Sequence, residues 1–309
     1  MKRIAIQRMA WFTLAVSGWW ALTAHAAEPV LVPVVASFSI LGDLVQVVGG
    51  ERVKVTTLAG PNADAHEFTP KPAHAKALLD AHLFVVNGLN FEPWALKLAK
   101  SADYKGDTVV ASKGVTPRQM ATERGHVHAE IDPHAWQNPL NVILYVANIA
   151  TGLSKVDPSG AAIYQDNARA YIGRLKDLDA QAQSRLDAIA PDRRRVITSH
   201  DAFGYLATRY SIVMLSPEGI STDSQPSARH VADLIRQIKR ENIKAVFVEN
   251  MRNPKLINQL GKDAGVTVGA TLYSDALSDA DGPAATYLKM MNHNLTQLVT
   301  GMTSPSPIR

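Results

Sequence analysis

Arg195-Val-Ile-Thr-Ser-His200-Asp201-Ala-Phe-Gly-Tyr205 runs from a short β-branched stretch through a polar turn straight into a helical pattern. A strand that hands over to a helix in this way is the repeating step of an open parallel sheet, and ligands bind at the carboxyl end of such strands. Outward from this stretch the alternation recurs. Strand-like runs occupy 30–38, 53–59, 83–89 and 108–112 in the first half, and 195–199, 212–215, 245–249 and 266–272 in the second. Helical patterns at 40–48, 72–81, 92–102, 201–210, 227–241, 254–264 and 284–302 fall between them. Continuous apolar strands alternating with helices predict an α/β protein whose sheets are parallel and covered on both faces.

Between the halves lies one long amphipathic pattern. Asp157-Pro158 marks its start, with proline just inside as helix starts favour, and Pro191 closes it. Tyr164, Ala168, Tyr171, Leu175, Leu178, Ala182, Leu186 and Ile189 step by three or four residues, which draws a single apolar stripe along about 45 Å of helix. The pattern reads as a rigid strut joining two lobes, each a parallel sheet flanked by helices. The expected organisation is a signal peptide at 1–26, an N-terminal α/β lobe at 27–156, the connecting helix at 157–190 and a C-terminal α/β lobe at 191–309.

The leader is read from Lys2, Arg3 and Arg8, the apolar stretch 9–22 and the small-residue site Ala24-His25-Ala26. It predicts export to the periplasm. The chain contains no cysteine, so disulfides are excluded and the lipid-anchoring residue of a lipoprotein is missing from the leader. A free, soluble periplasmic protein is therefore expected. Three of the 32 basic residues leave with the leader, which leaves 29 against 28 acidic ones. A chain so nearly neutral, with no basic stripe, argues against nucleic-acid binding.

Without thiolates, any metal must be held by His, Asp or Glu, a donor set suited to Zn²⁺, Mn²⁺ and Fe²⁺. His74, His82, His230 and His293 fall in helical stretches or at their ends and read as surface or packing residues. His66, His134 and His200 differ. His66 follows the run 53–59, His134 lies in Asp132-Pro-His-Ala-Trp136 ahead of a helical run, and His200 ends the stretch quoted above. Singly, each reads equally well as a surface or capping histidine; together they suggest a metal site assembled by the fold. Asp275, in Leu272-Tyr-Ser-Asp275-Ala-Leu277, is either a fourth donor or the cap of a turn.

Several longer motifs carry a resemblance over nearly the whole mature chain. They are Asn62-Ala-Asp-Ala-His66-Glu67, Asn87-Gly-Leu-Asn-Phe-Glu92-Pro-Trp94, Asp132-Pro-His134-Ala-Trp136, Thr198-Ser-His200-Asp-Ala-Phe-Gly-Tyr205 and the segment 227–250 with Val246-Phe-Val-Glu249. The chain resembles the solute-binding proteins of metal-ion ABC transporters, the cluster A-I receptors for zinc and manganese. The resemblance implies two α/β lobes joined by a rigid helix with the metal between them. It implies His66 and His134 as ligands from the first lobe, and His200 and Asp275 from the second. In manganese-type members the position of His200 is typically Glu, so the histidine implies a zinc-type receptor, with a manganese- or iron-binding receptor of the same family as the alternative. The implied partners are the permease of an ABC transporter with its cytoplasmic ATPase, and the receptor is expected to be a monomer without catalytic activity.

Two departures from the family pattern stand out. The metal-gathering loop ahead of Asp132 is short, and its His126 and His128 read either as auxiliary ligands or as solvated loop residues. So short a loop suits delivery of the ion by a periplasmic metallochaperone. After Trp136 the family's hydrophobic residue and Asp-Pro are replaced by Gln137-Asn138-Pro139, a change expected to leave the ligand set intact and to alter the groups around it. A metallohydrolase, with Glu67 or Asp201 as base, is the competing reading from another class. A receptor for organic solutes would need more aromatic lining than this chain offers. The loops around His134 and Asp275 show few apolar anchors in the sequence and are expected to be the mobile parts.

Overall fold

The apolar runs of the first half form a four-stranded parallel sheet in the computed structural model, which describes residues 31–119, 131–219 and 226–304. Its strands are β1 (Val32–Phe38), β2 (Val53–Ala59), β3 (Leu83–Val86) and β4 (Asp107–Val110), in the order β2-β1-β3-β4. Burial follows position in the sheet. The central β3 is buried at every residue and β1 at all but one, whereas the edge strands β2 and β4 alternate between covered and solvent-facing residues. Helices α1 (Ser39–Gly49), α2 (Pro72–Leu79) and α3 (Pro93–Ser101) make the connections. Proline opens α2 and α3, where the missing N–H costs nothing.

A two-residue antiparallel ladder of β5 (Arg118–Gln119) and β6 (Ile131–Asp132) leads to α4 (Pro139–Val156), which Asn138 caps by accepting from Leu140 N. The long amphipathic pattern becomes a 3-10 turn, Pro158–Gly160, and then α5 (Ala161–Asp187), about 40 Å of helix. Its buried residues are the predicted stripe, Tyr164, Ala168, Tyr171, Leu175, Leu178, Ala182 and Leu186, together with Asp179.

The second sheet comprises β7 (Arg195–Ile197), β8 (Val213–Leu215) and β9 (Ala245–Val246), all parallel, in the order β8-β7-β9. Around it lie α6 (Gly204–Tyr210), α7 (Ala228–Glu241), α8 (Lys255–Ala264) and α9 (Tyr287–Thr303). In both sheets the strand order reverses beside one strand, β1 in the first and β7 in the second. The crevices at the carboxyl ends there are the expected ligand positions.

α5 packs on α1 and α4 from the first half and on α6 and α9 from the second. One continuous apolar cluster includes Val34, Leu44, Tyr145, Leu175, Tyr287 and Leu298, so the core is shared across the halves. The described residues accordingly form a single compact unit.

The structure departs from the sequence reading in the second half. The run 266–272 forms no regular strand, only single bridges from Val268 to Val246 and from Leu272 to Glu249. Gly265, at φ +75, turns the chain sharply after α8, and Gly269 lies so close to Phe247 that an added Cβ would fall 2.5 Å from the ring. Those constraints bend the segment away from a continuous ladder. The leader at 1–26 and the loop with His126 and His128 lie outside the described residues. No helix among the described residues is long and apolar enough to cross a membrane.

Candidate metal centre

Each of the four side chains singled out in the sequence leaves the fold at a carboxyl-end loop, and the four meet. His66 follows β2, His134 follows β6, His200 follows β7 and Asp275 follows the bridge at Leu272. One donor atom from each lies within 4.8 Å of all the others. His66 Nε2 is 3.2 Å from His134 Nε2 and 3.2 Å from Asp275 Oδ2. His200 Nε2 is 3.1 Å from Asp275 Oδ2, and His134 Nε2 is 3.6 Å from Asp275 Oδ1. Neighbouring donors around a tetrahedral ion with bonds of about 2.0 Å are about 3.3 Å apart. His134, His200 and Asp275 are fully buried, while His66 keeps a small exposed edge.

Buried polar groups fix the orientation of the rings. His134 Nδ1 lies 2.8 Å from Asp132 Oδ1, which also accepts from His134 N, and Arg118 Nη1 donates to Asp132 Oδ2 at 3.0 Å. His200 Nδ1 lies 2.6 Å from Glu249 Oε2, while Glu249 Oε1 accepts from the backbone N–H of Ser199 and His200. With Nδ1 engaged in this way, Nε2 of both rings is directed at the cluster. Such carboxylate–histidine pairs are the usual outer partners of metal-binding imidazoles. Behind His134, Asn87 Nδ2 donates to Pro133 O at 3.0 Å, and Asn87 N donates to Glu92. Burial pushes the Glu92 carboxyl up to about 7. Phe91 meets His66, His134 and Trp136 in edge-to-face contacts, which gives the cluster an apolar floor. Gly204 is required by close approach: a Cβ there would fall 2.6 Å from Asp132 Oδ2.

The electrostatics favour a cation. Burial opposes charge on His134, but Asp275 and Asp132 outweigh it and push its pKa up to about 9. His200 is likewise raised well above its ordinary value by Glu249 and Asp275 against the effect of burial. Burial pushes the Asp275 carboxyl up, yet the two imidazoliums hold it well below the usual carboxylate range. Protons on His134 and His200 therefore compete with a metal ion for the same ring nitrogens. An incoming ion must displace them, because only the neutral imidazole is a ligand. Apparent affinity should thus fall as the pH drops below about 9, and binding at neutral pH should release protons. Calorimetric titration in buffers of different ionisation enthalpy measures the release; a buffer-independent enthalpy would contradict it.

Asp132, Glu249 and Asn87 are the site residues to which sequence reasoning gave no separate role, whereas Gln137 was expected to change the surroundings of the ligands. Glu249 carried a signal all the same, since a carboxylate ending a buried apolar run needs a partner. Of the two bases considered for a hydrolase, Glu67 is exposed, and Asp201 donates its backbone N–H to Gly219 O. The loops around His134 and Asp275 are better anchored than their composition suggested. Ala135, Trp136, Leu272 and Leu277 are buried, Asn294 binds both backbone polar groups of Tyr273, and Ser39 Oγ accepts from Leu277 N.

The family described as zinc-uptake complex component A, periplasmic, matches residues 34–301. Among curated relatives, the iron-binding protein YfeA of Yersinia pestis is 34% identical over 271 residues, covering 87% of this chain and 85% of that protein. The manganese-bound periplasmic metal-binding protein from Candidatus Liberibacter asiaticus is 30% identical with a TM-score of 0.77, over 87% of this chain and 98% of that one. The periplasmic zinc-binding protein TroA from Treponema pallidum is 26% identical with a TM-score of 0.82, over 88% of this chain and 99% of that one.

Proposed function

Because the chain belongs to the family of periplasmic component A of zinc-uptake complexes, we propose that it captures Zn²⁺ in the periplasm and delivers it to the permease of an ABC importer. The observation that carries this reading is the convergence of three imidazoles and one carboxylate in a buried cluster whose donor atoms all lie within 4.8 Å of one another. His66, His134, His200 and Asp275 hold the ion, and one chain supplies all four, so a monomer suffices. Imidazole-rich, oxygen-poor coordination favours zinc over the harder Mn²⁺. Four protein donors also leave no position for the activated water that a hydrolase needs.

Manganese or iron is the second reading, and one feature favours it. Asp275 turns Oδ2 to His66 and His200 and Oδ1 to His134. Both oxygens therefore face the cluster, and a bidentate carboxylate would raise the coordination number beyond four. Purified protein will bind zinc more tightly than manganese under either reading, because divalent affinities follow the Irving–Williams order. Elemental content of the protein isolated from the periplasm is therefore the deciding measurement. Zinc as the dominant metal is the expected result; manganese or iron in its place would overturn the zinc assignment but keep the receptor. Titration of stripped protein should give a single tight ion per chain. A second equally tight ion, lost when His126 and His128 are both changed to Ala, would make that loop a site of its own.

A further inference from the structure

Gln137 closes the short turn that begins at His134, and its side chain is fully buried. Its backbone N–H donates to His134 O at 3.0 Å. Its side-chain Nε2 donates to Ser274 O at 2.8 Å, and Trp136 Nε1 donates to the same oxygen at 2.8 Å. Ser274 directly precedes Asp275. One rigid turn therefore carries a candidate metal donor and also grips the backbone next to another.

The other end of the glutamine side chain has no such justification. Gln137 Oε1 is buried and has no hydrogen-bond partner among the described residues. A buried amide oxygen without a donor is unfavourable, whereas a hydrocarbon of similar size would fill the same space without that cost. Trp136 alone would already satisfy the Ser274 carbonyl. Stability of the fold thus gives no reason for an amide here. What the amide adds is a second donor on Ser274 O. Two donors from different directions restrict the rotation of the Ser274–Asp275 peptide, and with it the direction from which the carboxylate approaches the cluster.

We propose that Gln137 is a positioning residue of the metal site, which acts through the Ser274 carbonyl to set the orientation of Asp275. The proposal rests on the metal-receptor reading above. It makes the His134 turn and the Asp275 loop one mechanical unit, so that an ion held by either pulls on both.

The test uses Gln137→Leu and Gln137→Met, each in the parent and in an Asp275→Ala background. Zn²⁺ affinity is measured by competition with a chromophoric chelator, the visible spectrum is recorded with Co²⁺, and the thermal melting of stripped protein is followed. Both variants should melt at or above the parent yet bind Zn²⁺ about tenfold or more weakly, as loss of an outer partner of a metal ligand typically does. The Co²⁺ bands should shift. In the Asp275→Ala background the same substitutions should change affinity by less than about twofold, because the group they orient is gone. Parent-like affinity and Co²⁺ spectrum in both variants would overturn the proposal, as would an undiminished loss without Asp275. Variants that melt well below the parent or fail to fold would overturn it too, by giving the amide a structural reason. Failure of the parent itself to bind Zn²⁺ or Co²⁺ would count against the receptor reading instead.

Discussion

His200→Ala should weaken zinc binding by about a hundredfold to a thousandfold. Four-ligand zinc sites bind with about 10–16 kcal/mol, so one donor in four carries about 3 kcal/mol, and each 1.4 kcal/mol is a factor of ten. His200 is fully buried and is one of the four donors that converge in the cluster. The substitution also deprives Glu249 Oε2 of its nearest cation, although Oε1 keeps two backbone donors. Far-ultraviolet circular dichroism of the stripped variant should therefore accompany the titration. His134→Ala should behave similarly, for it has the same burial and the same kind of carboxylate partner. His66→Ala belongs in the same class. Asp275→Ala should lose less, for two reasons. Water can take the place of a carboxylate oxygen more easily than that of a ring. Removing the carboxylate also lowers the raised pKa values of His134 and His200, so protons compete less with the ion. If His200→Ala bound zinc like the parent, the three-histidine site would be wrong.

The candidate donors were legible because His66, His200 and Asp275 follow apolar runs, where the fold class alone predicts a ligand-facing loop, and His134 stands in a loop just ahead of a helical run. That logic survived even where the strand did not form. The run 266–272 makes only single bridges, yet the one at Leu272 is enough to aim Asp275 at the other three. The supporting groups were not legible for a physical reason. Glu249 reaches back to Ser199 and His200, Asn87 to Pro133, and Gln137 forward to Ser274, across separations of 46 to 137 residues. A buried polar residue announces that it needs a partner, but its sequence neighbourhood does not say which. The extra anchoring of the His134 and Asp275 loops escaped the sequence for the same reason. Local composition counted few apolar anchors, while the anchors that hold residues 272–279 come from Trp136, Gln137, Asn294 and Ser39.

Zinc should stabilise the protein without closing it. A ligand that binds only the folded state adds about 4 kcal/mol at a thousandfold excess over its dissociation constant, so the melting temperature should rise clearly. A wide hinge motion, by contrast, would have to break what already spans the halves. Tyr164, Leu175 and Leu186 on α5 lie in the same apolar cluster as Leu44 on α1 and Leu298 on α9. Asn167 Nδ2 donates to Val48 O at 3.0 Å near the start of that helix, and Asp179 receives Arg209 at 2.6 and 2.8 Å further along. Around the cluster, Asn62 N donates to Leu277 O at 2.9 Å and Tyr287 N to Asp43 Oδ2 at 2.8 Å. Opening would expose shared core and break these polar contacts together, which is far costlier than local adjustment. Binding should therefore order the loops that carry His66, His134, His200 and Asp275 and leave α5 as it is. The permease would then read the state of those loops and not the angle between lobes. X-ray scattering of stripped and zinc-loaded protein should give the same radius of gyration, and hydrogen exchange should slow only at those loops. A radius that shrinks clearly on binding, with exchange changes running along Ala161–Asp187, would refute the rigid strut.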